Sequence, residues 1–190
     1  SGDDLVLSTS GSFSDKMAGT GKTVSVSGSL TGLDAANYTV STNATTTADI
    51  AQLAISGNIT ASNKTYDGNT SATTAGSLSG VISGDNLSLS TSGSFSDKNA
   101  GTGKAVSVSG SLTGLDAGNY NLTNLNTQTT ADIDPLGLSV TGSTAANKVY
   151  DGNVSAQVTA GTLHGMIGDD LVTLAGVSGA FQDRHAGVDK

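Results

Sequence analysis

Val106-Ser107-Val108-Ser109 alternates a β-branched apolar residue with a small polar one, and Val24-Ser25-Val26-Ser27 repeats the alternation earlier in the chain. A period of two marks a half-buried strand, because successive side chains leave a pleated backbone on opposite faces. Leu5-Val6-Leu7-Ser8, Leu87-Ser88-Leu89-Ser90 and Tyr120-Asn121-Leu122-Thr123 carry the pattern outward. The composition agrees with it. Of 190 residues, 27 are Ser, 26 Thr, 26 Gly and 13 Asn, and all sixteen acids are Asp. These residue types disfavour long helices and favour turns and strands. Charged residues make up only 13% of the chain, and the apolar ones alternate instead of being merely scarce, which points to an ordered all-β chain with thin cores.

Several function classes fall away on the same counts. Eight Lys and Arg against sixteen Asp leave a formal net charge of −8, too little basic charge for a nucleic-acid footprint. Apolar runs last only a few residues, so no membrane insertion is expected of this segment. No basic n-region followed by an apolar h-region opens the chain. Cysteine is absent, which excludes a disulfide framework and thiolate metal sites.

Self-similarity dominates the organisation. Residues 1–38 match 83–120 without a gap at 33 of 38 positions, differing at 4, 6, 17, 23 and 36. Phe13-Ser14-Asp15-Lys16 returns as Phe95-Ser96-Asp97-Lys98 and as Phe181-Gln182-Asp183-Arg184. Lys64-Thr65-Tyr66-Asp67-Gly68-Asn69 returns as Lys148-Val149-Tyr150-Asp151-Gly152-Asn153, and Thr47-Ala48-Asp49-Ile50 as Thr130-Ala131-Asp132-Ile133. Gly2-Asp3-Asp4-Leu5 returns at 84–87 and 168–171. The spacing of about 82 to 86 residues is that of a small domain, longer than a solenoid rung. Placing the unit start before the Tyr-Asp-Gly signal gives residues 1–52 as the back part of one repeat, 53–135 as a complete repeat, and 136–190 as the front part of a third. The segment then reads as an excerpt from a longer array.

Within residues 53–135, strands are expected near 53–57, 63–67, 70–78, 86–91, 104–113, 119–124 and 128–134. Turn signals lie between them at Asp67-Gly68, Ser83-Gly84-Asp85-Asn86, Ser92-Gly93, Ala100-Gly101-Thr102-Gly103 and Asp116-Ala117-Gly118-Asn119. Asp-Gly between extended runs suits a two-residue hairpin. Short strands at this spacing suggest an immunoglobulin-like antiparallel β-sandwich, with a β-grasp-like unit as the alternative. Asp116-Ala117-Gly118-Asn119-Tyr120-Asn121-Leu122 has the tyrosine-corner pattern, with Tyr120 and Phe95 as core anchors.

Chemistry-bearing motifs are sparse. Gly101-Thr102-Gly103-Lys104 lacks the spacing of a phosphate loop and leads into a strand. Gly168-Asp169-Asp170 invites a calcium reading, yet no Asp-x-Asp-x-Asp-Gly loop is present, and Asp in turns ordinarily bonds its own backbone. His164 and His185 stand where other units hold Ser79 and Asn99, and read as surface-loop residues. No nucleophile elbow, metal triad or acid–base pair is found, so no catalytic, cofactor-binding or metal residue is assigned. Lys64 and Lys98 are expected to form no crosslink to Asn.

Taken together, 63–70, 76–85, 95–104, 116–120 and 130–133 resemble the YDG-type tandem repeat of large bacterial secreted and surface adhesins, filamentous-haemagglutinin-like proteins exported by two-partner secretion. That resemblance implies an extracellular or cell-surface location, repeats set end to end as a rod or fibre, and no catalytic residues. The expected function is a structural stalk or fibre module serving attachment and biofilm formation. Its expected partners are neighbouring repeats of the same polypeptide or other copies of the chain. A carbohydrate- or matrix-binding module is the alternative. It needs an exposed aromatic platform, whereas the chain holds four Tyr, three Phe and no Trp. A hydrolase fragment would need acid–base groups the sequence lacks.

Overall fold

The computed structural model describes residues 2–41 and 44–188. Its strands are β1 (Val6–Phe13), β2 (Gly19–Thr31), β3 (Ala44–Ile50), β4 (Leu53–Ala61), β5 (Lys64–Thr65), β6 (Ser71–Ala72), β7 (Thr74–Ser79), β8 (Ser88–Phe95), β9 (Gly101–Thr113), β10 (Tyr120–Leu125) and β11 (Gln128–Asp134). Six shorter strands follow: β12 (Ser139–Thr141), β13 (Thr144–Ala145), β14 (Ser155–Ala156), β15 (Val158–Thr159), β16 (Thr162–His164) and β17 (Gly179–Ala180). The described residues contain no α-helix, only 3-10 turns at Ala35–Asn37 and Ala117–Asn119. The all-β expectation therefore holds, and among these residues no helix is long and apolar enough to cross a membrane.

The chain divides into two compact units that cut across the sequence repeats. The first comprises Ser1–Ala61, Thr73–Gly93 and Ser107–Thr129. It contains an antiparallel sheet in the order β1-β2-β3, and a second sheet in the order β10-β4-β7. In the first sheet Phe13 faces Val24 and Val6 faces Thr31. In the second, β4 is antiparallel to β7 but parallel to β10, with an irregularity between Leu122 and Asn124. Past the end of β10, the Asn126 side chain extends the bonding to β4: its Oδ1 accepts the Ile59 N–H at 2.7 Å and its Nδ2 donates to Ile59 O at 2.8 Å. The core here is Ile55, Ile59, Val108 and Tyr120. Gly110 makes room for it, since a Cβ at that position would lie 3.0 Å from Leu89 and 3.1 Å from Ile59.

The second unit comprises Ser62–Ala72, Ser94–Val106 and Thr130–Lys190. Its core is Phe95, Val106, Ala131 and Ile133. Val106 is fully buried while Ser107 and Ser109 are exposed, so the alternation that suggested the strand sorts its faces. Strands of this unit belong to the five-stranded sheet ordered β5-β11-β9-β8-β6. The tail strands pair antiparallel as β12 with β16, β13 with β15 and β14 with β17.

Three local expectations are corrected. Asp67-Gly68 is not a hairpin turn: β5 runs parallel to β11 through Ile133 and Asp134, while β6 lies at the opposite edge of that sheet. Ser92-Gly93 is no turn either, because β8 continues through it to Phe95. The parallel β4–β10 and β5–β11 pairings depart from an all-antiparallel sandwich. Parallel neighbours require a crossover, and sequence periodicity carries no information on strand direction.

Candidate functional site: a lysine cage and a repeat junction

Two arrangements absorb the recurring motifs. The first is a lysine cage in the second unit. The Tyr66 N–H donates to Asp134 O at 2.8 Å, which continues the parallel pairing of Lys64–Thr65 and fixes where the signature begins. Gly68 then turns the chain at φ +79°, a conformation only glycine adopts freely. The Asp67 carboxylate accepts the Asn69 N–H at 3.2 Å, and the Asn69 Oδ1 accepts the Ser71 N–H at 2.9 Å. Into this loop Lys64 Nζ donates to Asp67 Oδ1 at 2.7 Å, Asn69 O at 2.8 Å, Ser71 O at 3.1 Å and Asn69 Oδ1 at 3.2 Å. The ammonium also stands 5.4 Å from the centroid of the Phe95 ring, within cation–π range.

The cage is built again around Lys148, with Asp151 at 2.8 Å, Asn153 O at 2.9 Å, Asn153 Oδ1 at 2.8 Å and the Phe181 ring centroid at 5.6 Å. Lysine at the start of the signature is therefore required by chemistry, since several acceptors converge on one point charge. The Lys64 ammonium holds the Asp67 carboxyl below its ordinary value, and Lys148 does the same for Asp151.

The Phe-Ser-Asp-Lys motif is shared between two tasks. Asp97 accepts the Asn99 N–H at 2.8 Å and Lys104 Nζ at 2.7 Å, and Gly103 donates its N–H to Asp132 Oδ1 at 2.7 Å. Ala100-Gly101-Thr102-Gly103 is therefore not the turn expected: Gly101–Lys104 opens strand β9, with Gly103 at φ +58° and the segment pinned by two carboxylates, one of them Asp132 of Thr-Ala-Asp-Ile. The first repeat makes the same bonds, with Asp15 to Met17 at 2.8 Å and to Lys22, and Gly21 to Asp49 at 2.7 Å.

The motif's own lysine points to the neighbouring repeat. In the first unit Lys16 Nζ lies 2.7 Å from Asp85 Oδ1 and 3.2 Å from Asp116 Oδ1. Asp85 Oδ2 accepts the Tyr120 hydroxyl at 2.6 Å, and that hydroxyl accepts the Ile82 N–H at 3.1 Å. Ala18 donates its N–H to Asn119 Oδ1 at 2.9 Å, and Gln52 Nε2 donates to Gly118 O at 2.9 Å. Bonding to Lys16 first, and to Tyr120 second, holds the Asp85 carboxyl below its ordinary value, and Asp85 and Asp116 raise that of Lys16.

In the second unit Lys98 Nζ lies 3.4 Å from Asp170 Oδ1, and the Tyr66 hydroxyl donates to Asp170 Oδ2 at 2.7 Å. Asp170 is the counterpart of Asp85 because both close the same turn, donating N–H to Ile167 O at 3.1 Å and to Ile82 O at 3.2 Å. The matching strings at 84–87 and 168–171 would have paired Asp85 with Asp169 instead, one residue out of register.

Tyr120 is only 3% exposed, as expected of a core anchor, but its hydroxyl reaches a turn 38 residues away instead of its own corner. Tyr66 does more than anchor a strand, since its phenol holds the next repeat's carboxylate. His164 ends strand β16, where its Nε2 lies 2.9 Å from the Thr141 hydroxyl, so it is exposed but not in a loop. His185 lies outside regular structure. Among the described residues, no three His, Asp, Cys or Glu side chains converge on a metal-sized site.

A family model described as the YDG domain matches residues 1–48, 46–131 and 134–190. Comparison with curated proteins and with solved structures gave no match. With matches along nearly its whole length, the chain belongs to the YDG domain family.

Proposed function

We propose that this chain is a spacer segment of an extracellular stalk or fibre, in which immunoglobulin-like repeats follow one another end to end and carry an adhesive head away from a bacterial surface. One observation carries the reading: the contact between consecutive repeats is built rather than incidental. The lysine of Phe-Ser-Asp-Lys reaches the same turn aspartate of the following repeat twice, Lys16 to Asp85 and Lys98 to Asp170. A contact repeated at each junction lets an array gain length without new folding problems. The predominance of Asp over Lys and Arg favours solubility outside a cell. No catalytic role is proposed.

Small-angle scattering on this chain and on arrays with more repeats tests the reading. The maximum dimension is expected to grow in proportion to repeat number while the cross-section stays constant. A maximum dimension that does not grow in this way would overturn it. A glycan array on the same proteins, giving specific binding lost on mutation of exposed tyrosines, would favour a carbohydrate-binding module instead.

A further inference from the structure

Between Leu53 and Asp134 the chain runs from β4 to β11, and within each unit an early strand of this stretch lies parallel to a late one. In the first unit Leu53 faces Tyr120, Ile55 faces Leu122 and Gly57 faces Leu125. The Asn126 side chain then adds its two bonds to the Ile59 backbone, at 2.7 and 2.8 Å. In the second unit Lys64 faces Ile133 and Thr65 faces Asp134. On one side of that pair Asp132 donates its N–H to Asn63 Oδ1 at 2.8 Å, and Asn63 Nδ2 returns a bond to Asp132 Oδ2 at 3.3 Å. On the other side the Tyr66 N–H donates to Asp134 O at 2.8 Å.

Strand direction decides how such pairs respond to a pull. Tension along the polypeptide enters this stretch before Leu53 and leaves it after Asp134. It draws the early strands toward their N-terminal ends and the late strands toward their C-terminal ends. In a parallel pair those pulls run in opposite senses along one axis, so the strands are sheared and their bonds are loaded together. An antiparallel pair pulled at adjoining ends opens from that end, and its bonds break one after another. Strand β4 meets both cases, being parallel to β10 and antiparallel to β7. Strand β5 has only two residues, but the Lys64 ammonium ties it to the carbonyls of Asn69 and Ser71, and Ile133 opposite is 1% exposed.

We propose that the repeat running from β4 to β11 is a load-bearing unit, in which tension along the chain is carried as shear across the β4–β10 pairing of the first unit and the β5–β11 pairing of the second. The proposal rests on the spacer reading only in taking the load to pass along the chain from repeat to repeat. Resistance to a pull is set by the unfolding rate, so shear geometry lengthens the lifetime under load without demanding high equilibrium stability. Pairing early strands in parallel with late ones needs a long crossover that a hairpin avoids. Load along the chain is the condition under which that pairing is an advantage.

The chain has no cysteine, so handles for optical tweezers can be fixed at chosen residues of the whole 190-residue protein. Ala51→Cys with Gly137→Cys pulls across the stretch and shears the parallel pairs; both positions are exposed, and a Cβ at Gly137 meets nothing within 4 Å. Ala54→Cys with Ser79→Cys, both also exposed, pulls at adjoining ends of the antiparallel pair, where Ser56 faces Ser79. The fold is the same in both experiments, so only the direction of the pull differs. The first axis is expected to need at least about twice the force of the second at equal loading rate. Asn126→Ala is expected to lower the force on the first axis, because it removes bonds between the sheared segments, and to leave the second unchanged. The unchanged second axis also shows that the variant folds. Equal forces on the two axes, or an Asn126→Ala chain that resists the first pull like its parent, would refute the proposal. The force is read within one repeat, whereas the spacer reading stands on the growth of scattering length with repeat number, so either can fail alone.

Discussion

Lys64 concentrates more polar bonding than any other side chain described here, and its replacement is informative. Lys64→Met keeps the stem that lies along the loop but leaves the Asp67 carboxylate and the Asn69 and Ser71 carbonyls without their shared donor. Hydrogen bonds to a charged group each contribute about 1.5–3 kcal/mol, but the loop is solvent-accessible, so a net loss of about 2 kcal/mol is expected in urea unfolding. The same cage bears on covalent chemistry. Lys64 Nζ is 3.2 Å from Asn69 Oδ1, a distance that suggests an amine-for-amide exchange releasing ammonia. Such an exchange needs an uncharged amine and a nearby acid to protonate the leaving group, whereas Lys64 keeps Asp67 ionised below its usual range. The intact mass is therefore expected to equal the sum of the residues, and a mass short by one ammonia would show that the cage is reactive.

At the scale of elements, the turn between β9 and β10 and the central strand β4 carry the clearest tests. Gly114 sits at φ +118°, and a Cβ there would lie 2.4 Å from the carbonyl oxygen of Asn86. Backbone cannot yield as a flexible side chain does. Gly114→Ala is expected to cost about 2 kcal/mol or more, and to disturb the turn that aims Asp116 at Lys16. Ile59 is 1% exposed between β10 and β7, and Ile59→Ala removes its core contacts without touching a polar group. A loss of about 3 kcal/mol is expected, read as a lower denaturation midpoint at unchanged slope. A neutral Ile59→Ala would show that β4 does not carry the core, and a neutral Gly114→Ala that the turn against Asn86 can yield. Tyr120→Phe separates core from latch: the ring stays and only the bonds to Asp85 and Ile82 go, so the melting temperature should fall by less than for Tyr120→Ala.

For the whole molecule, the repeat junctions make stability depend on pH. Asp85 is held below its ordinary value by Lys16 and then Tyr120, and Asp170 by Tyr66 and then Lys98. A depressed carboxyl stabilises the folded state above its unfolded pKa, and that contribution disappears as pH falls through the lowered value. Lys16 is raised by Asp85 and Asp116, so its contribution is complete below the ordinary lysine pKa and disappears as pH rises through the raised one. The junctions are accordingly expected to be firm across neutral pH and to loosen first in acid, below about pH 4. Amide exchange at Ala18, which donates across the first junction, should speed up there before exchange in the core strands. Asp85→Asn should remove most of that acid dependence. An unchanged acid dependence in the variant would move the cause to the cages around Lys64 and Lys148.

What the sequence determined on its own is local. Period-two alternation in Val106-Ser107-Val108-Ser109, the absence of Glu and the glycine-rich turns specify strands, because side-chain direction and turn conformation depend on near neighbours. The repeats and their family were legible for the same reason, as was the burial of Phe95 and Tyr120. Strand order, strand direction and the junction were not. Lys16 and Asp85 are 69 residues apart, and nothing in either string says that the lysine serves the next repeat instead of its own. Phe13 and Phe95 stand in the same local string, yet one is 41% and the other 3% exposed. The difference lies in what packs on them: Phe95 has the caged Lys64 over its ring and its N–H bonded to Thr70, while no lysine stands over Phe13 among the described residues. Burial and pairing are through-space quantities, and two identical segments differ in them whenever their neighbours in the fold differ.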